Sequence, residues 1–227
     1  MITTIEGNSF SGKTSLAEEL VTSFDAKIVP EYDVYVQGGK NFPAFPPDSM
    51  DDACKAIEFF VEVEKRRSGD AIELVEKSGK PVVMDRSPFS CIFFQANVLH
   101  QFKETPNAYL YSIERFLAEA RSGNVFIPNS IVYLYPTIEQ FRMRIERRGR
   151  VGIDFLNWES TLIFSHHWYG NLCRMYREKN SLMLQSSEDK INYDAYLVME
   201  FLSQVDLGYD PKTILEELYL KHVKEKA

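Results

Sequence analysis

The eight residues from Gly7 to Thr14 constrain this chain more than any other segment. They read Gly-Asn-Ser-Phe-Ser-Gly-Lys-Thr, which matches the pattern G-x-x-x-x-G-K-[ST] in full. A β-branched run at 1–5 precedes them, and an amphipathic run at 15–21 follows. Because a strand, a glycine loop and a helix are expected in this order, the segment is typical of a phosphate-binding P-loop rather than of an ordinary glycine turn.

Each part of this loop has a chemical use. Gly7 and Gly12 let the backbone curl so that successive N–H groups point at an anion, and the helix that follows adds its own free N–H groups. Lys13 supplies a cation for the β- and γ-phosphates of a nucleotide, and Thr14 supplies a hydroxyl for Mg²⁺. The predicted nucleotide-binding residues are therefore Gly7, Asn8, Ser9, Phe10, Ser11, Gly12, Lys13, Thr14 and Ser15.

The composition argues against several other classes of protein. A formal charge of −7 and an isoelectric point near 5.2 disfavour a partner that is a nucleic-acid polymer. No apolar run approaches the ~20 residues that span a bilayer, and no secretory signal is visible, so we expect a cytoplasmic protein without membrane segments. Cys54, Cys91 and Cys173 lie far apart without a C-x-x-C pair, which fits a reducing compartment.

Short apolar strands alternate with helical stretches along the chain. The pattern predicts strands at about 1–6, 26–29, 81–85, 130–135 and 181–185. It predicts helices at about 13–23, 51–78, 88–102, 109–121, 137–147, 157–179, 193–205 and 210–226, with a loop over 33–50. This alternation predicts a three-layer α/β fold of the P-loop NTPase type, in which about five parallel strands, with strand one central, carry helices on both faces.

The whole chain, 1–227, is expected to form one domain. Within it we expect an arginine-bearing lid at about 147–156 and a C-terminal helical extension at about 193–227.

Charged residues follow two of the predicted strands, at the sheet edge where open α/β folds bind ligands. Asp85 and Arg86 follow the third strand, in position to hold Mg²⁺ and to grip a phosphate. Glu31 follows the second strand, in position to take a proton from an attacking hydroxyl. Tyr32 and Tyr35 either line an acceptor pocket or pack under the loop. For Asp85 and Arg86, the alternative is an aspartate that caps a helix and an arginine at the surface. For Glu31, the alternative is a solvated acid in a loop.

Five arginines crowd into nine positions after the fourth strand: Arg142, Arg144, Arg147, Arg148 and Arg150. Gly149 can end the helix there and let Arg148 and Arg150 reach over the phosphates. Cations in that place stabilise the charge that spreads in a phosphoryl-transfer transition state. The alternative is a basic solvated helix face, which is what we expect for Arg142.

Four segments in this order resemble the deoxynucleoside kinase and thymidylate kinase group of P-loop kinases. Ile-Glu-Gly-Asn at 5–8 is similar to the start of the deoxynucleoside kinase P-loop, and Pro30-Glu31 to the segment with that family's base glutamate. Asp85-Arg86-Ser87 resembles the E-R-S motif, with the aspartate of thymidylate kinases, and 144–150 resembles the R-x-x-x-R-G-R lid. The resemblance spans roughly residues 1–200.

The resemblance implies an enzyme that moves the γ-phosphate of ATP to a small acceptor, with Mg²⁺ bound by Thr14 and Asp85. The catalytic residues would be Lys13, Glu31, Asp85, Arg86, Arg148 and Arg150, of which Arg148 also contacts the nucleotide. The residues expected on the acceptor side are Glu31, Tyr32, Tyr35, Phe60, Glu64, Arg86 and Asp154.

The acceptor half departs from the family's pattern. No tryptophan follows Pro30-Glu31, and Phe59-Phe60 stands in the helix where the family keeps an F-Q pair. The glutamate expected after Arg150 is absent, and we expect Asp154 to do its work. The predicted acceptor is therefore a nucleoside first, with a nucleoside monophosphate such as thymidylate, or another hydroxylated metabolite, as alternatives.

Two other classes of protein are alternatives to a kinase. A GTPase would need an N-K-x-D and a D-x-x-G motif, and the sequence contains neither. A non-catalytic, nucleotide-gated binding protein is the remaining alternative from another class. The sequence leaves open whether the chain forms a homodimer.

Overall fold

A computed structural model of the chain describes residues 1–103, 106–149, 152–186 and 190–225. Within them, five strands form one sheet in the order β2-β3-β1-β4-β5, and every neighbouring pair is parallel. The strands are β1 (Ile2–Glu6), β2 (Lys27–Val29), β3 (Val82–Asp85), β4 (Ser130–Tyr135) and β5 (Ser181–Gln185). The predicted parallel sheet is confirmed, with strand one at its centre.

Nine helices accompany this sheet in the described part of the chain. They are α1 (Lys13–Phe24), α2 (Tyr32–Tyr35), α3 (Met50–Ser78), α4 (Pro88–Phe102), α5 (Pro106–Arg121), α6 (Ile138–Arg148), α7 (Glu159–Met175), α8 (Ile191–Leu202) and α9 (Lys212–Glu225). None of those helices, over the residues that the structure describes, is both long and apolar enough to cross a bilayer.

The two faces of the sheet are covered by different helices. Successive residues of a strand point to opposite faces, and β4 shows this directly. Ile131 and Tyr133 pack into a large core with α3, α4, α5 and α7. Val132 and Leu134 pack on the other face, against α1 and α8. The predicted three layers are therefore present.

The helix predicted at 51–78 is confirmed as α3, which continues through Ser68-Gly69 without a break. Ser68 is buried there, and its hydroxyl accepts a hydrogen bond from the N–H of Phe126 at 2.9 Å, which anchors the helix at that point. The segment 33–50, expected to be a loop throughout, begins inside the short helix α2, whose N-cap is Glu31.

The predicted helix at 157–179 is divided into three pieces. A 3₁₀ turn at Asp154–Asn157 precedes α7, and a second turn at Glu178–Asn180 follows it. Trp158 and Tyr176, on either side of α7, have extended backbones and cannot continue an α-helix. Short 3₁₀ pieces are common at such helix ends.

Helix α6, which carries the arginine cluster, begins where the sequence predicts. The hydroxyl of Thr137 accepts a hydrogen bond from the N–H of Gln140 at 3.2 Å, and the Gln140 side chain accepts one from the N–H of Thr137 at 2.9 Å. This reciprocal pair is a capping box. Gly149 ends the helix with a positive φ of 80°.

Candidate active site

The P-loop curls between β1 and α1 in a conformation that requires glycine at one position above all. Gly7 has a φ of 148°, and a Cβ built there would lie 2.2 Å from the carbonyl oxygen of Leu134. Gly12 and Phe10 also have positive φ values, of 94° and 64°. The ring of Phe10 packs edge-on against that of Phe141, with centroids 5.9 Å apart. The backbone thus forms the curled loop that the motif predicts.

The serine and asparagine side chains in and beside the loop differ in their burial. Ser11 is fully buried, Ser9 is half-buried and Ser15 is exposed. Asn8 is buried, and its side-chain nitrogen has no hydrogen-bond partner among the described residues.

Lys13 is folded back onto the loop. Its Nζ donates to the carbonyl oxygen of Asn8 at 3.0 Å and lies 3.4 Å from the hydroxyl of Ser11. Burial, helped by the nearby charge of Arg86, lowers the pKa of Lys13 to about 8. Carboxylates around it, Asp85 foremost, oppose that effect. A phosphate in the loop would supply the negative charge that this buried amine lacks.

The pairing of β1 with β3 brings Thr14 and Asp85 together. The Thr14 hydroxyl donates to Oδ2 of Asp85 at 3.0 Å. Oδ1 of Asp85 is buried and has no hydrogen-bond partner in the described parts of the chain. Hydroxyl and carboxylate oxygens are the ligands that Mg²⁺ prefers, so these two residues fit the predicted metal site. The predicted meeting of the two strands is confirmed.

Arg86 connects the end of β3 with the P-loop and with Glu31. Its backbone is left-handed, with a φ of 71°, and its N–H donates to the carbonyl oxygen of Ile5 at 3.1 Å. Its Nη1 donates to the carbonyl oxygen of Gly7 at 3.2 Å, and its Nε donates to the carboxylate of Glu31. Burial raises the pKa of Glu31, but the charges of Arg86 and Lys13 more than offset this, and the pKa lies below its usual value. Glu31 is therefore held in its ionised form.

A second buried carboxylate, Glu6, lies at the end of β1 and was not predicted as a site residue. Four hydroxyls donate to it: Thr4 at 3.2 Å, Ser87 at 2.6 Å, Ser90 at 2.5 Å and Tyr169 at 3.1 Å. Burial raises the pKa of Glu6, and its serine partners pull the pKa back down. An acid directly before the first P-loop glycine was the available signal, because a polar side chain at the end of a buried strand needs partners.

The predicted acceptor-side residues lie around α2 and α3. Tyr32 is buried, and its ring packs edge-on against that of Phe60 at 5.7 Å. Tyr35 turns its hydroxyl towards the carboxylate of Asp70 at 2.5 Å. Glu64 is fully buried rather than presented to solvent, and it forms an ion pair with Arg67 of the same helix. Burial raises the pKa of Glu64 despite the arginine beside it.

The arginines of the predicted lid are in different surroundings. Arg144 is buried and donates to the carbonyl oxygen of Phe10 at 2.7 Å, so it belongs to the P-loop rather than to a solvated face. Arg142 is exposed, as expected, and pairs with Glu159 at 2.6 Å. Arg148 is exposed at the last position of α6.

Two further residues belong to the predicted lid and its surroundings. Arg150, predicted to be catalytic, lies outside the described residues. Asp154 is exposed at the start of a 3₁₀ turn, and its carboxylate accepts a hydrogen bond from the indole N–H of Trp158 at 3.3 Å.

A parallel sheet with a P-loop after its central strand, and with an acid on the neighbouring strand, defines a P-loop kinase fold. The chain belongs to the deoxynucleoside kinase family, whose model matches residues 3–194. Membership makes it a phosphotransferase of the nucleoside kinase type, which takes its phosphate from a nucleotide.

Solved structures with the same fold include two kinds of kinase. Deoxyadenosine kinase from M. mycoides with bound dATP has a TM-score of 0.65 and 17% identity, over 89% of this chain and 100% of that one. The same enzyme with dCMP and a flexible dCDP gives 0.63 and 16%, over 90% and 100%. Thymidylate kinase from Candida albicans gives 0.61 and 13%, over 89% and 92%. At these identities, the likeness concerns the fold.

Proposed function

We propose that this chain transfers the γ-phosphate of ATP to a hydroxyl group of a deoxynucleoside. The observation that carries this proposal is the ion pair between Glu31 and Arg86 beside the P-loop. It supplies an ionised carboxylate and a bound cation at the edge where the phosphate would be transferred.

On the donor side, the P-loop backbone and Lys13 would hold the phosphates of ATP. Thr14 and Asp85 would hold Mg²⁺, whose charge would neutralise the phosphate oxygens. Lys13 in its charged form would add a contact to the transferred group, and that contact strengthens as charge develops in the transition state.

On the acceptor side, Glu31 would accept the proton of the attacking hydroxyl. A general base must be unprotonated at working pH, and Arg86 and Lys13 keep the pKa of Glu31 low. Arg86 would orient both Glu31 and the incoming group. The remaining predicted contacts, Tyr32, Tyr35, Phe60, Glu64 and Asp154, stay predictions.

A hydroxyl acceptor suits this arrangement better than a phosphate acceptor. A phosphate needs no general base, and its charge would be repelled by the ionised Glu31. Arg86 offers little compensation, because Glu31 already neutralises it. This favours a nucleoside over a nucleoside monophosphate.

Several further elements of the proposal concern the whole chain. We propose a single domain over 1–227, with a lid at about 147–156 that brings Arg148 and Arg150 over the phosphates. We also propose that the C-terminal extension, 193–227, is part of this domain and that the enzyme works in the cytoplasm. A homodimer is compatible with the proposal and is not required by it.

The test is ADP formation from ATP and Mg²⁺ with a panel of acceptors: the deoxynucleosides, their monophosphates and small polyols. We expect turnover with at least one deoxynucleoside and a phosphorylated product detectable by mass spectrometry. Turnover with monophosphates alone would contradict the proposed acceptor. ATP binding without turnover on any acceptor would instead favour the non-catalytic binding protein.

A further inference from the structure

Arg67, in the middle of α3, has a fully buried guanidinium that contacts two different strand ends. Its Nη2 donates to the carbonyl oxygens of Asp85 and Arg86, both at 2.8 Å. Its Nε donates to the carbonyl oxygen of Pro30 at 3.2 Å. Its Nη1 donates to the carboxylate of Glu64 at 2.6 Å. One planar group thus joins the ends of β2 and β3 to α3.

These contacts lie next to Glu31 along the chain and on the main chain of Arg86 itself. The Pro30 carbonyl directly precedes Glu31, and the ring of Tyr32, directly after Glu31, lies 4.1 Å from the guanidinium carbon of Arg67. On the other strand, Arg67 binds the carbonyl of Arg86 itself.

The sheet alone does not set the distance between these two strand ends. The last paired residues of β2 and β3 are Val29 and Met84, so the ladder stops before either functional side chain. Arg86 also has a left-handed backbone, which costs energy in a residue other than glycine and persists only where its surroundings hold it. Arg67 links β2 and β3 by hydrogen bonds just beyond their last paired residues.

The ion pair with Glu64 does not by itself account for Arg67. A counter-ion for Glu64 needs one or two donors, whereas Arg67 directs three hydrogen bonds to main-chain carbonyls. Arg67 donates to only one carboxylate oxygen of Glu64, Oε2, so most of its donors are directed elsewhere. Glu64 serves to balance the charge of an arginine that must be buried to reach the carbonyls.

We propose that Arg67 is a positioning residue, which fixes the separation of Glu31 and Arg86 by tying together the ends of β2 and β3. This inference rests on the proposed function, because it assigns those two residues to the acceptor. Arg67 itself would touch neither ATP nor the acceptor.

The test compares Arg67→Lys with Arg115→Lys. Lysine keeps a charge opposite Glu64, but it lacks the planar fork that reaches three carbonyls. Arg115, on α5, donates to the carboxylates of Glu58 on α3 and Glu119 on its own helix, and none of its hydrogen bonds within the described residues reaches either strand end. Arg115→Lys therefore disturbs the packing of α3 without loosening Glu31 or Arg86.

The readout is the ratio of phosphate transfer to deoxyadenosine, or to whichever deoxynucleoside the wild type uses, over ATP hydrolysis without acceptor. The amount of folded enzyme cancels in this ratio, so a merely structural role leaves it unchanged. We expect Arg67→Lys to lower the ratio at least ~10-fold, because a misplacement of about 1 Å costs about 10² in rate. The KM for ATP should stay within about twofold. An unchanged ratio, or an equal fall in Arg115→Lys, would overturn the proposal.

Two further measurements keep the inference testable. If Arg67→Lys does not fold, the double variant Glu64→Gln/Arg67→Gln removes both buried charges together and should show the same lowered ratio. If the wild type phosphorylates no deoxynucleoside, the proposed function fails, and crystal structures of the wild type and Arg67→Lys then decide the positioning role. We expect the contact between Glu31 and Arg86 to open in the variant. An unchanged contact, with Arg86 still left-handed, would refute it.

Discussion

The donor and acceptor sides of this site are built in different ways. The donor side consists of consecutive residues, 7–14, and one aspartate from the adjacent strand. The acceptor side joins Glu31 to Arg86, which are 55 residues apart, and a buried arginine from a third element links their strand ends. The first depends on the conformation of one loop, and the second depends on how three elements meet.

The two sides also differ in electrostatics. On the donor side, burial lowers the pKa of Lys13, so the cation is poorly satisfied until an anion arrives. On the acceptor side, Arg86 and Lys13 keep the pKa of Glu31 low, so the anion is satisfied in the free protein. The donor side is therefore poised to bind, and the acceptor side is organised before binding. The following experiments test this difference.

Replacing Lys13 should have the largest effect. We expect Lys13→Ala to lower kcat by about 10²–10³, the usual loss for one well-aligned transition-state contact. Stability should not fall, since the buried charge is unfavourable in the free protein. Coupled ADP assays and thermal unfolding measure both. Lys27→Ala, which removes a lysine paired with Asp25 at the protein surface, is the control. Near-normal turnover in Lys13→Ala would show that Lys13 does not stabilise the transferred phosphate, and the proposed donor side would be wrong.

Replacing Glu31 should come next. Glu31→Gln keeps the shape but loses the base, and transfer should slow at least ~10²-fold. The affinity for ATP should change little, because Glu31 belongs to the acceptor side. Single-turnover kinetics and calorimetry separate the two quantities. Asp33→Asn, which changes an exposed acid in the short helix that Glu31 caps, should behave like the wild type. If kcat is unchanged in Glu31→Gln, its role is structural.

The pH dependence of ATP binding should distinguish the two sides directly. The pKa of Lys13 is about 8 in the free protein, and bound phosphate should raise it. ATP binding then takes up a proton above pH 8, and the affinity should fall by about tenfold per pH unit up to the pKa of Lys13 in the complex. Calorimetry in buffers of different ionisation enthalpy measures that proton. If the ATP affinity of Lys13→Ala falls with pH at the same slope as that of the wild type, Lys13 is not the group that takes up the proton.

The lid should show the smallest effect. We expect Arg148→Ala to lower kcat by about tenfold, because an exposed cation is partly screened by solvent and salt. ATP affinity should change less than kcat, since the added charge develops in the transition state. Arg142→Ala removes an exposed arginine already paired with Glu159 and is the matched control. Equal losses in the two variants would mean that this segment is a basic surface. Arg150→Ala should act in the same direction as Arg148→Ala.

The fold was largely predictable from the sequence because it follows local patterns. All five strands were anticipated at nearly the correct positions, and the helix expected from about 137 begins at Ile138 with Thr137 as its N-cap. The breaks around α7 were missed, because Trp158 and Tyr176 leave the helical conformation without a glycine or proline to signal it.

The donor side could be predicted and the buried part of the acceptor side could not. Arg144, predicted as part of the arginine cluster of the lid, is buried against the P-loop because α6 docks there. Glu64 is predicted on the acceptor side, and its burial in an ion pair with Arg67 could not be inferred from the sequence. Helical spacing predicts which residues share a face, but not how closely that face approaches a strand end.

By itself, the sequence determined the phosphate-binding loop, the parallel sheet and the two strand ends with their charged residues. Glycine spacing and apolar alternation act over a few neighbouring residues, so they can be read along the chain. Only the tertiary structure decided that Arg67 meets carbonyls 37 positions before it and 18 positions after it. Hydrogen bonds of that kind depend on how α3 packs against the sheet. Because every residue carries a main-chain carbonyl, the sequence does not show which carbonyls will accept them.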